Sequence, residues 1–300
     1  MDLLTQLNRA VTYIEDHISD DLAISDIAGV TAYSPYHFGR LFYYIAEMPI
    51  SEYVRKRKLS LAAAELKDSD VKVIDLAVKY GYDSADSFTR AFAKQHGVTP
   101  TAARQSGALL KIFPPLSFYI KIKGVQGTNW RIEERDAFEV FGIERVFGND
   151  ETSTVPDFWT DCFRDGSYER LFDDAGGKRY PDGHGYPLAD GSCLIRAACN
   201  YRESGDNTFP YMLCAEKTEI GKTDGYTGAV IPKSTWAILR SDETENIGAE
   251  IPRLFNQIYS EWLPSSGYDK APGPDLEVYG VCQSGKYFEE VWIPVVKKAQ

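Results

Sequence analysis

Long apolar runs, abundant cysteine and low-complexity tracts are all missing from this sequence of 300 residues, and each absence excludes a class of protein. No stretch approaches the roughly 18 consecutive apolar residues of a membrane-spanning helix, so we expect no membrane association. Residues 1–6 (MDLLTQ) lack the basic start and the apolar stretch of a secretory signal peptide. We therefore expect a cytoplasmic globular chain, long enough for two domains.

The five cysteines are too few and too scattered for a disulfide framework. Their number is odd, they form no CxxC pair, and no clustered histidine accompanies them, so reduced and mostly buried thiols are expected. An acidic stretch with Asp173, Asp174, Asp182 and His184 lacks the regular spacing of a calcium-binding loop, which favours a solvated loop over a metal site. The sequence predicts neither a metal site nor a cofactor.

The net charge of -11 argues against indiscriminate binding to nucleic acid. The acidity is uneven: residues 1–108 carry 12 Lys and Arg against 14 Asp and Glu, and residues 109–300 carry 21 against 30. Since the first part is not basic overall, DNA binding there requires its positive charge to be concentrated on one face.

Two segments about fifty residues apart show the same helix-turn-helix pattern. In the first, over residues 22–45, a short helix precedes a longer helix that Ser34 caps and Pro35 begins. In the second, over residues 73–96, a short helix precedes a longer helix that Ser84 caps. One such pattern is a weak signal, but its repetition predicts a domain with two tandem helix-turn-helix units.

The two longer helices correspond at their core positions, with Phe38, Arg40 and Phe42 aligning with Phe88, Arg90 and Phe92. Each Phe pair is four residues apart and is predicted to point inward, while the Arg between them projects from another face. A helix over Ser51–Leu66 joins the units and would hold the two reader helices about 34 Å apart, in successive major grooves. Its basic run at 55–58 is a candidate for phosphate contacts, although at best two of the four charges can face DNA together.

Residues 1–108 resemble the DNA-binding domain of the AraC/XylS family of transcription regulators, here at the N-terminus rather than in the commoner C-terminal position. The matching motifs are SPYHFGRLF at 34–42, PISEYV at 49–54, IDLA at 74–77, GYDS at 81–84, FTRAF at 88–92 and GVTP at 97–100. The resemblance implies DNA contacts from Ser34, Tyr36, His37, Arg40, Ser84, Asp86, Ser87, Arg90 and Lys94. Arg40 and Arg90 suit bidentate contacts to guanine. Gly39 has no side chain where relatives often have a reader, so weaker base readout is expected from the first unit. In the second unit, Asp86 can accept from a cytosine amino group but would repel nearby phosphates.

From residue 109 the pattern changes to short strands separated by Gly, Pro and Asp. Residues 109–129 are expected to form a linker and a first strand, and residues 130–300 a second domain. Its predicted elements are a strand over 130–145 broken near 136–137, a helix over 156–163, strands over 194–201 and 211–218, then a strand over 228–241, a helix over 247–263 and strands over 276–283 and 287–296. The order strand-helix-strand-strand, found twice, predicts a duplicated α+β (βαββ) domain with internal pseudo-two-fold symmetry. The Gly-, Asp- and Pro-rich residues 166–191 are expected to form an insertion or a loop.

The duplication predicts a groove where the halves meet, lined by aromatic side chains and a carboxylate. The candidate ligand-binding residues are Phe138, Trp159, Tyr211, Tyr226, Trp236, Tyr279, Glu290 and Trp292. Glu290 shares a strand face with Trp292 because alternate residues of a strand point the same way. Its pattern fits either an exposed charge or a ligand anchor, and an aromatic, anionic pocket suits planar cations or polar ligands with an apolar body.

Residues from about 117 to 300 are similar to GyrI-like effector-binding domains, which supports the anchor interpretation of Glu290. The matching motifs are EVFGI at 139–143, WLP at 262–264, GY at 267–268, EVYG at 277–280 and EVWIPV at 290–295. The two resemblances together imply a DNA-binding transcription regulator that senses a hydrophobic, aromatic or cationic small molecule, with RNA polymerase as a further partner. A hydrolase of reactive small molecules with Glu290 as base is one alternative, and a protein-interaction module is another. No Ser-His-Asp, Cys-His or metal constellation supports an enzyme, so none is expected.

Overall fold

A computed structural model describes residues 3–105, 107–118, 129–149, 154–176, 195–205, 208–282 and 284–298. The chain divides into two compact units, Met1–Ile120 and Lys121–Gln300, and each is considered by itself. His184 and Cys193 lie outside the described residues.

The N-terminal unit is helical, as predicted. Its helices are α1 (Leu3–Asp16), α2 (Ile24–Gly29), α3 (Pro35–Ala46), α4 (Ile50–Asp68), α5 (Val73–Lys79), α6 (Ala85–His96) and α7 (Pro100–Ala103). α2 with α3, and α5 with α6, are the two helix-turn-helix units, and α4 is the connecting helix. Ser34 and Ser84 cap the longer helices, because each side-chain oxygen accepts the backbone N–H three residues later.

The inward positions of the two units are filled by the predicted Phe pairs. Phe38 and Phe42 of α3, and Phe88 and Phe92 of α6, are fully buried. Around the second pair, α4 contributes its buried small and aliphatic side chains Leu59, Ala62, Ala63 and Leu66. The helix-forming alanines of α4 therefore let α6 pack closely against it.

The ends of α3 and α6 differ in one backbone detail. Both helices end on a residue in the left-handed conformation, which is Gly97 (φ 76°) after α6 and Glu47 (φ 54°) after α3. Glycine adopts this conformation without steric cost, whereas a side chain with a Cβ does not. The first helix-turn-helix unit therefore carries backbone strain that the second lacks.

Residues 109–118, expected as part of a linker, form neither helix nor strand and belong to the N-terminal unit. Phe113 donates its backbone N–H to Ser60 Oγ of α4 (3.0 Å), and Asn8 of α1 binds the backbone of Phe118. Side chains of the helices thus satisfy backbone groups of a segment that has no secondary structure of its own.

The C-terminal unit is an antiparallel sheet with helices, which confirms the predicted α+β class. Its elements are β1 (Asn129–Arg135), β2 (Phe138–Gly148), α8 (Val155–Arg164), α9 (Ser167–Asp174), β3 (Ile195–Cys199), β4 (Thr208–Glu216), β5 (Thr227–Ile231), β6 (Ser234–Arg240), α10 (Ile251–Gln257), α11 (Leu263–Ser265), β7 (Tyr268–Lys270), β8 (Asp275–Val281) and β9 (Tyr287–Lys297). A π-helical stretch, Ile258–Trp262, joins α10 to α11.

The strand order shows the duplication. The described strands run β1-β6-β9-β8-β3-β4-β2-β5, with β7 beside β9. In each half a strand, a helical segment and two further strands follow one another, and the halves meet at the β3–β8 pair. The outer strands are exchanged, because β1 pairs with β6 of the second half and β5 with β2 of the first.

Three sequence expectations for this unit need correction. The predicted strand over 228–241 is two strands, because Pro232 lacks the N–H that a ladder needs. The helix predicted over 247–263 begins only at Ile251, after a non-helical stretch that contains Gly248 at φ 86°. The first residues of the predicted loop 166–191 form α9, and residues 177–191 lie outside the described ranges.

Candidate functional site

The second reader helix, α6, presents a polar stripe to solvent. Asp86, Arg90 and Lys94 recur every four residues along it, so they share one helix face, and all three are exposed. Ser84 and Ser87 close a capping box at the start of the helix, where each side chain accepts the backbone N–H of the other. The stripe therefore combines two cations, one carboxylate and an ordered N-terminus.

The first reader helix, α3, does not present its arginine in this way, and the expected exposure of Arg40 is wrong. Arg40 is only 1% exposed, and its guanidinium lies 5.8 Å from the ring centre of Tyr36 and 5.3 Å from that of Tyr44. It also donates to the Tyr44 hydroxyl (3.2 Å). Tyrosines four residues before and after Arg40 stand on the same helix face, whereas Asp86 and Lys94 hold those positions around Arg90.

The start of α3 is fixed by its cap. Ser34 Oγ accepts the backbone N–H of His37 (3.3 Å) and lies 2.9 Å from Nδ1 of the same residue. Tyr36 is buried at 4% exposure, and His37 is half-buried. Of the four contacts expected from this unit, only the Ser34 side chain is exposed.

The basic run of α4 is mostly engaged within the protein, so the expected phosphate contacts are reduced to one exposed cation, Arg55. Arg57 is buried and forms a two-pronged ion pair with Glu15 (2.8 and 2.6 Å). Lys56 pairs with Glu52 (2.7 Å), and Lys58 donates to the backbone of Asp20.

A buried carboxyl group, Glu277, lies at the centre of the sheet. It is 4% exposed and stands on β8 opposite Ala197 of β3, where the two halves of the sheet meet. The hydroxyls of Tyr211 and Tyr279 both donate to its Oε2 atom, at 2.7 and 2.8 Å. The Cys199 thiol lies 3.8 Å from Oε1.

Aromatic side chains close this cluster on the side of the helices. Trp159 of α8 donates its indole N–H to the Tyr211 hydroxyl (2.7 Å), and its ring meets that of Tyr279 at 4.8 Å. Burial, and then the neighbouring Glu277 carboxyl, raises the pKa of both tyrosines well above the ordinary value. Both therefore stay protonated as donors to Glu277. We call Trp159, Cys199, Tyr211, Glu277 and Tyr279 the Glu277 cluster.

Glu290 lies on the opposite face of the sheet, so the predicted ligand residues do not share one groove. In the β8–β9 ladder Glu290 stands beside Val278, whereas Tyr279 stands beside Glu289. Because neighbouring residues of a strand point to opposite faces, Glu290 cannot join Tyr279 in one site. With Glu290 go Phe138, Trp236 and Trp292, which pack in an apolar cluster on that face.

The Glu290 carboxylate is fully engaged there. Arg131 binds it through two bonds (2.9 and 3.1 Å), Arg240 approaches to 3.5 Å, and the Trp292 indole N–H donates to it (2.8 Å). Both oxygens of the carboxylate are therefore already bound by donors of the protein. This geometry gives no support to Glu290 as a general base.

Tyr226 is separate from both groups. It donates to Asp174 of α9 (2.9 Å), and its ring meets Phe141 at 5.6 Å. It lines a cavity of about 370 Å³ together with Ser167 and Arg170 of α9.

Sequence reasoning did not select Glu277, although a signal for it was present. The residue stands two positions before Tyr279, so the alternation that grouped Glu290 with Trp292 also groups Glu277 with Tyr279. Within the described ranges, no group of three or more His, Cys, Asp or Glu is placed to hold a metal ion. None of the described helices is long and apolar enough to cross a bilayer.

Two family models match the chain. A helix-turn-helix domain model matches residues 27–106, and the model of an integron-associated effector binding protein matches residues 191–295.

Curated relatives match the N-terminal third. The transcriptional activator AarP of Providencia stuartii is 36% identical over 100 residues, which cover 33% of this chain and 74% of AarP. The probable transcription factor PqrA of Proteus vulgaris is 33% identical over 105 residues, 34% of this chain and 86% of PqrA. The regulator Rob of Salmonella typhimurium is 33% identical over 118 residues, 39% of this chain and only 41% of Rob.

Solved structures match more distantly. An integron cassette protein of Vibrio cholerae shares 17% identity at a TM-score of 0.37, over 56% of this chain and 95% of its own. The structure of SAV2435 bound to tetraphenylphosphonium shares 15% identity at a TM-score of 0.43, over 56% of this chain and 94% of its own.

Proposed function

Because this chain belongs to the AraC-type family of helix-turn-helix transcription regulators and joins its DNA-binding unit to an effector-binding unit of the GyrI-like kind, we propose that it responds to a cationic, aromatic small molecule bound at the Glu277 cluster. Binding there would change how the N-terminal unit engages its operator. A coupling free energy of about 1–3 kcal/mol between the two sites is enough for such a response.

The observation that carries this proposal is a carboxyl group buried among aromatic rings where the two halves of the sheet meet. The hydroxyls of Tyr211 and Tyr279 and the thiol of Cys199 lie against its oxygens. The carboxyl group would attract a ligand cation by Coulomb interaction, and the rings of Trp159 and Tyr279 would hold the apolar body of that ligand. The same set of groups disfavours anions.

The DNA contacts we propose centre on α6. Arg90 is exposed on the polar stripe and can bind guanine through two bonds, while Asp86 accepts from a cytosine amino group. Ser84, Ser87 and Lys94 would contact phosphates at the start and side of the helix. In the first unit, we propose that Ser34 and His37 contact the DNA backbone, whereas Tyr36 and Arg40 would read bases only after leaving their buried positions.

RNA polymerase remains a proposed partner and is tested separately. In a transcription reaction with purified polymerase, we expect the protein to change the yield from a promoter that carries its binding site. If occupancy of the operator alone accounts for the change in transcript yield, the partners are limited to DNA and the effector.

The ligand proposal is tested by thermal shift on the full chain with tetraphenylphosphonium, a monovalent cation that carries four phenyl rings. We expect it to raise the melting temperature of the C-terminal unit, because a ligand that binds only the folded state stabilises it. Tetraphenylborate, an anion of the same shape, serves as the matched control and should give no shift.

Two variants decide which carboxyl group is the anchor. Glu277→Gln should weaken the cation's binding by about tenfold or more, because the Coulomb attraction is lost while the side-chain size is kept. Glu290→Gln, on the opposite face, should leave binding unchanged. The reverse result would return the anchor to Glu290, and equal stabilisation by the cation and the anion would contradict both assignments.

A further inference from the structure

The segment Leu109–Phe118, which we call the strap, is held on the N-terminal unit by side chains from two helices. Five hydrogen bonds hold its backbone: Ser60 Oγ accepts from Phe113 N (3.0 Å), Arg57 donates to Phe113 O (2.5 Å), Tyr53 Oη accepts from Leu116 N (3.2 Å), and the Asn8 amide both accepts from Phe118 N and donates to Phe118 O (2.9 Å each).

The side chains that hold the strap are themselves held in place. Glu15 of α1 accepts from both Arg57 (2.6 and 2.8 Å) and Tyr53 (2.7 Å), which fixes these two side chains of α4. Burial works against ionisation of Glu15, but the bonds from Arg57 and Tyr53 outweigh it and keep its pKa below the ordinary value. The strap therefore lies on a preformed polar track rather than on a loose surface.

The two ends of the strap contact different helix-turn-helix units. Near its start, Leu110 packs against the buried cluster under α6, which includes Phe88 and Phe92. At its end, the Phe118 ring meets Phe42 of α3 edge-on, with ring centres 6.0 Å apart. Since Phe42 is fully buried beneath the first reader helix, the strap touches the core of both reader helices.

We propose that the strap is a positioning element for DNA reading: it sets α3 relative to α6, and its Phe118 end is the point through which the C-terminal unit acts on the first reader helix. The chain reaches the C-terminal unit, which begins at Lys121, directly after this end. A displacement there would first break the Asn8 bonds and then disturb Phe42, while Leu110 and α6 stay in place. This regulation rests on the proposed ligand response, but the positioning of α3 does not.

The test is hydrogen exchange of the full chain without any ligand, in Asn8→Ala and Phe118→Ala. Both variants should speed hydrogen exchange in α3 by about tenfold or more and leave exchange in α6 unchanged. The reason is that only the core beneath α3 loses a contact, the one between Phe118 and Phe42. Thr12→Ala is the matched control on α1, since its hydroxyl bonds only the backbone of Asn8 and leaves the strap untouched. Leu110→Ala should give the opposite pattern, with faster exchange in α6.

A merely structural role would raise exchange in α3 and α6 together, and that result would overturn the proposal. So would faster exchange of the Phe118 amide with α3 unchanged. A second measurement uses DNA affinity on a duplex selected by the wild-type protein. Asn8→Ala should lower the affinity about tenfold, and its effect should add to that of Arg90→Ala, because the two changes act on different reader helices. Clear non-additivity would contradict separate control of the two units.

The ligand proposal can fail independently. If tetraphenylphosphonium does not bind the wild-type protein but the expected exchange pattern is found, the effector assignment is wrong and the positioning role of the strap is supported. If the cation binds and yet Asn8→Ala leaves α3 protected, the strap is wrong and the effector site stands.

Discussion

The different surroundings of Arg40 and Arg90 lead to a prediction in which two matched substitutions act on different properties. Arg40→Ala removes two cation–π contacts, at 5.8 and 5.3 Å, and a hydrogen bond to Tyr44. With about 0.5–1 kcal/mol for each ring contact and about 1 kcal/mol for the hydrogen bond, the loss is roughly 2–3 kcal/mol of unfolding free energy. Arg90→Ala removes an exposed side chain, so its stability effect should stay within about 0.5 kcal/mol.

The chain allows the two units to be followed separately. All five tryptophans lie between residues 130 and 292, so tryptophan fluorescence reports only the C-terminal unit. The far-UV helix signal comes mainly from the helical N-terminal unit. In urea, Arg40→Ala should lower the midpoint of the helix signal and leave the fluorescence midpoint unchanged, whereas Arg90→Ala should change neither.

DNA binding should show the reverse order. Arg90→Ala should cost about 1–3 kcal/mol of discrimination between the selected duplex and one with the contacted guanine replaced. Arg40→Met, which keeps the buried stem without the charge, should lose stability but little discrimination. If Arg40→Ala leaves the helix signal unchanged and lowers discrimination as much as Arg90→Ala does, the buried position of Arg40 does not hold in solution.

Three further predictions concern stability. Glu47→Gly should stabilise the N-terminal unit by about 0.5–1 kcal/mol in urea, because glycine adopts the left-handed conformation of this position without strain. Gly97→Ala should destabilise the same unit, and a change of the same sign in both variants would contradict the strain argument. Tyr211→Phe should cost the C-terminal unit about 2–3 kcal/mol, since Glu277 loses a donor and Trp159 loses its acceptor, and a fluorescence midpoint equal to that of wild type would count against the cluster. Burial raises the pKa of Glu289 to about 7, although the backbone amides of Gly248 and Glu250 donate to it, so the folded state binds the proton more tightly than the unfolded state. The stability of the C-terminal unit should therefore fall between about pH 4.5 and 7, and Glu289→Gln should remove this dependence; the wild-type slope in Glu289→Gln would contradict the assignment.

The helices and strands followed from local patterns, but the sites depended on which faces meet. Caps such as Ser34 and Ser84, and Phe pairs four residues apart, are local signals, and the structure has them where the sequence placed them. Local sequence did not predict which carboxyl group lies at the centre of the sheet. Alternation along β8 and β9 groups residues into faces, but it does not say which face the helices cover, and this is what separates Glu277 from Glu290.

Two other differences have the same origin. The segment with Phe113, Pro114 and Pro115 was expected to be a linker because proline cannot join a ladder, yet its remaining backbone groups bond to side chains 53 to 110 residues away. A pattern read over a short stretch of sequence cannot reveal partners this far away along the chain. The burial of Arg40 had a partial signal in Tyr36 and Tyr44 at four-residue spacing, although spacing alone does not distinguish a covered arginine from an exposed one.

The exchange of β1 and β5 makes the two halves of the sheet a single interlocked body, comparable to a domain-swapped dimer whose protomers have been fused. In each half, one outer strand pairs with a strand of the other half. A chain cut between β4 and β5 would therefore leave each fragment with an unpaired sheet edge and with a strand whose partner lies in the other fragment.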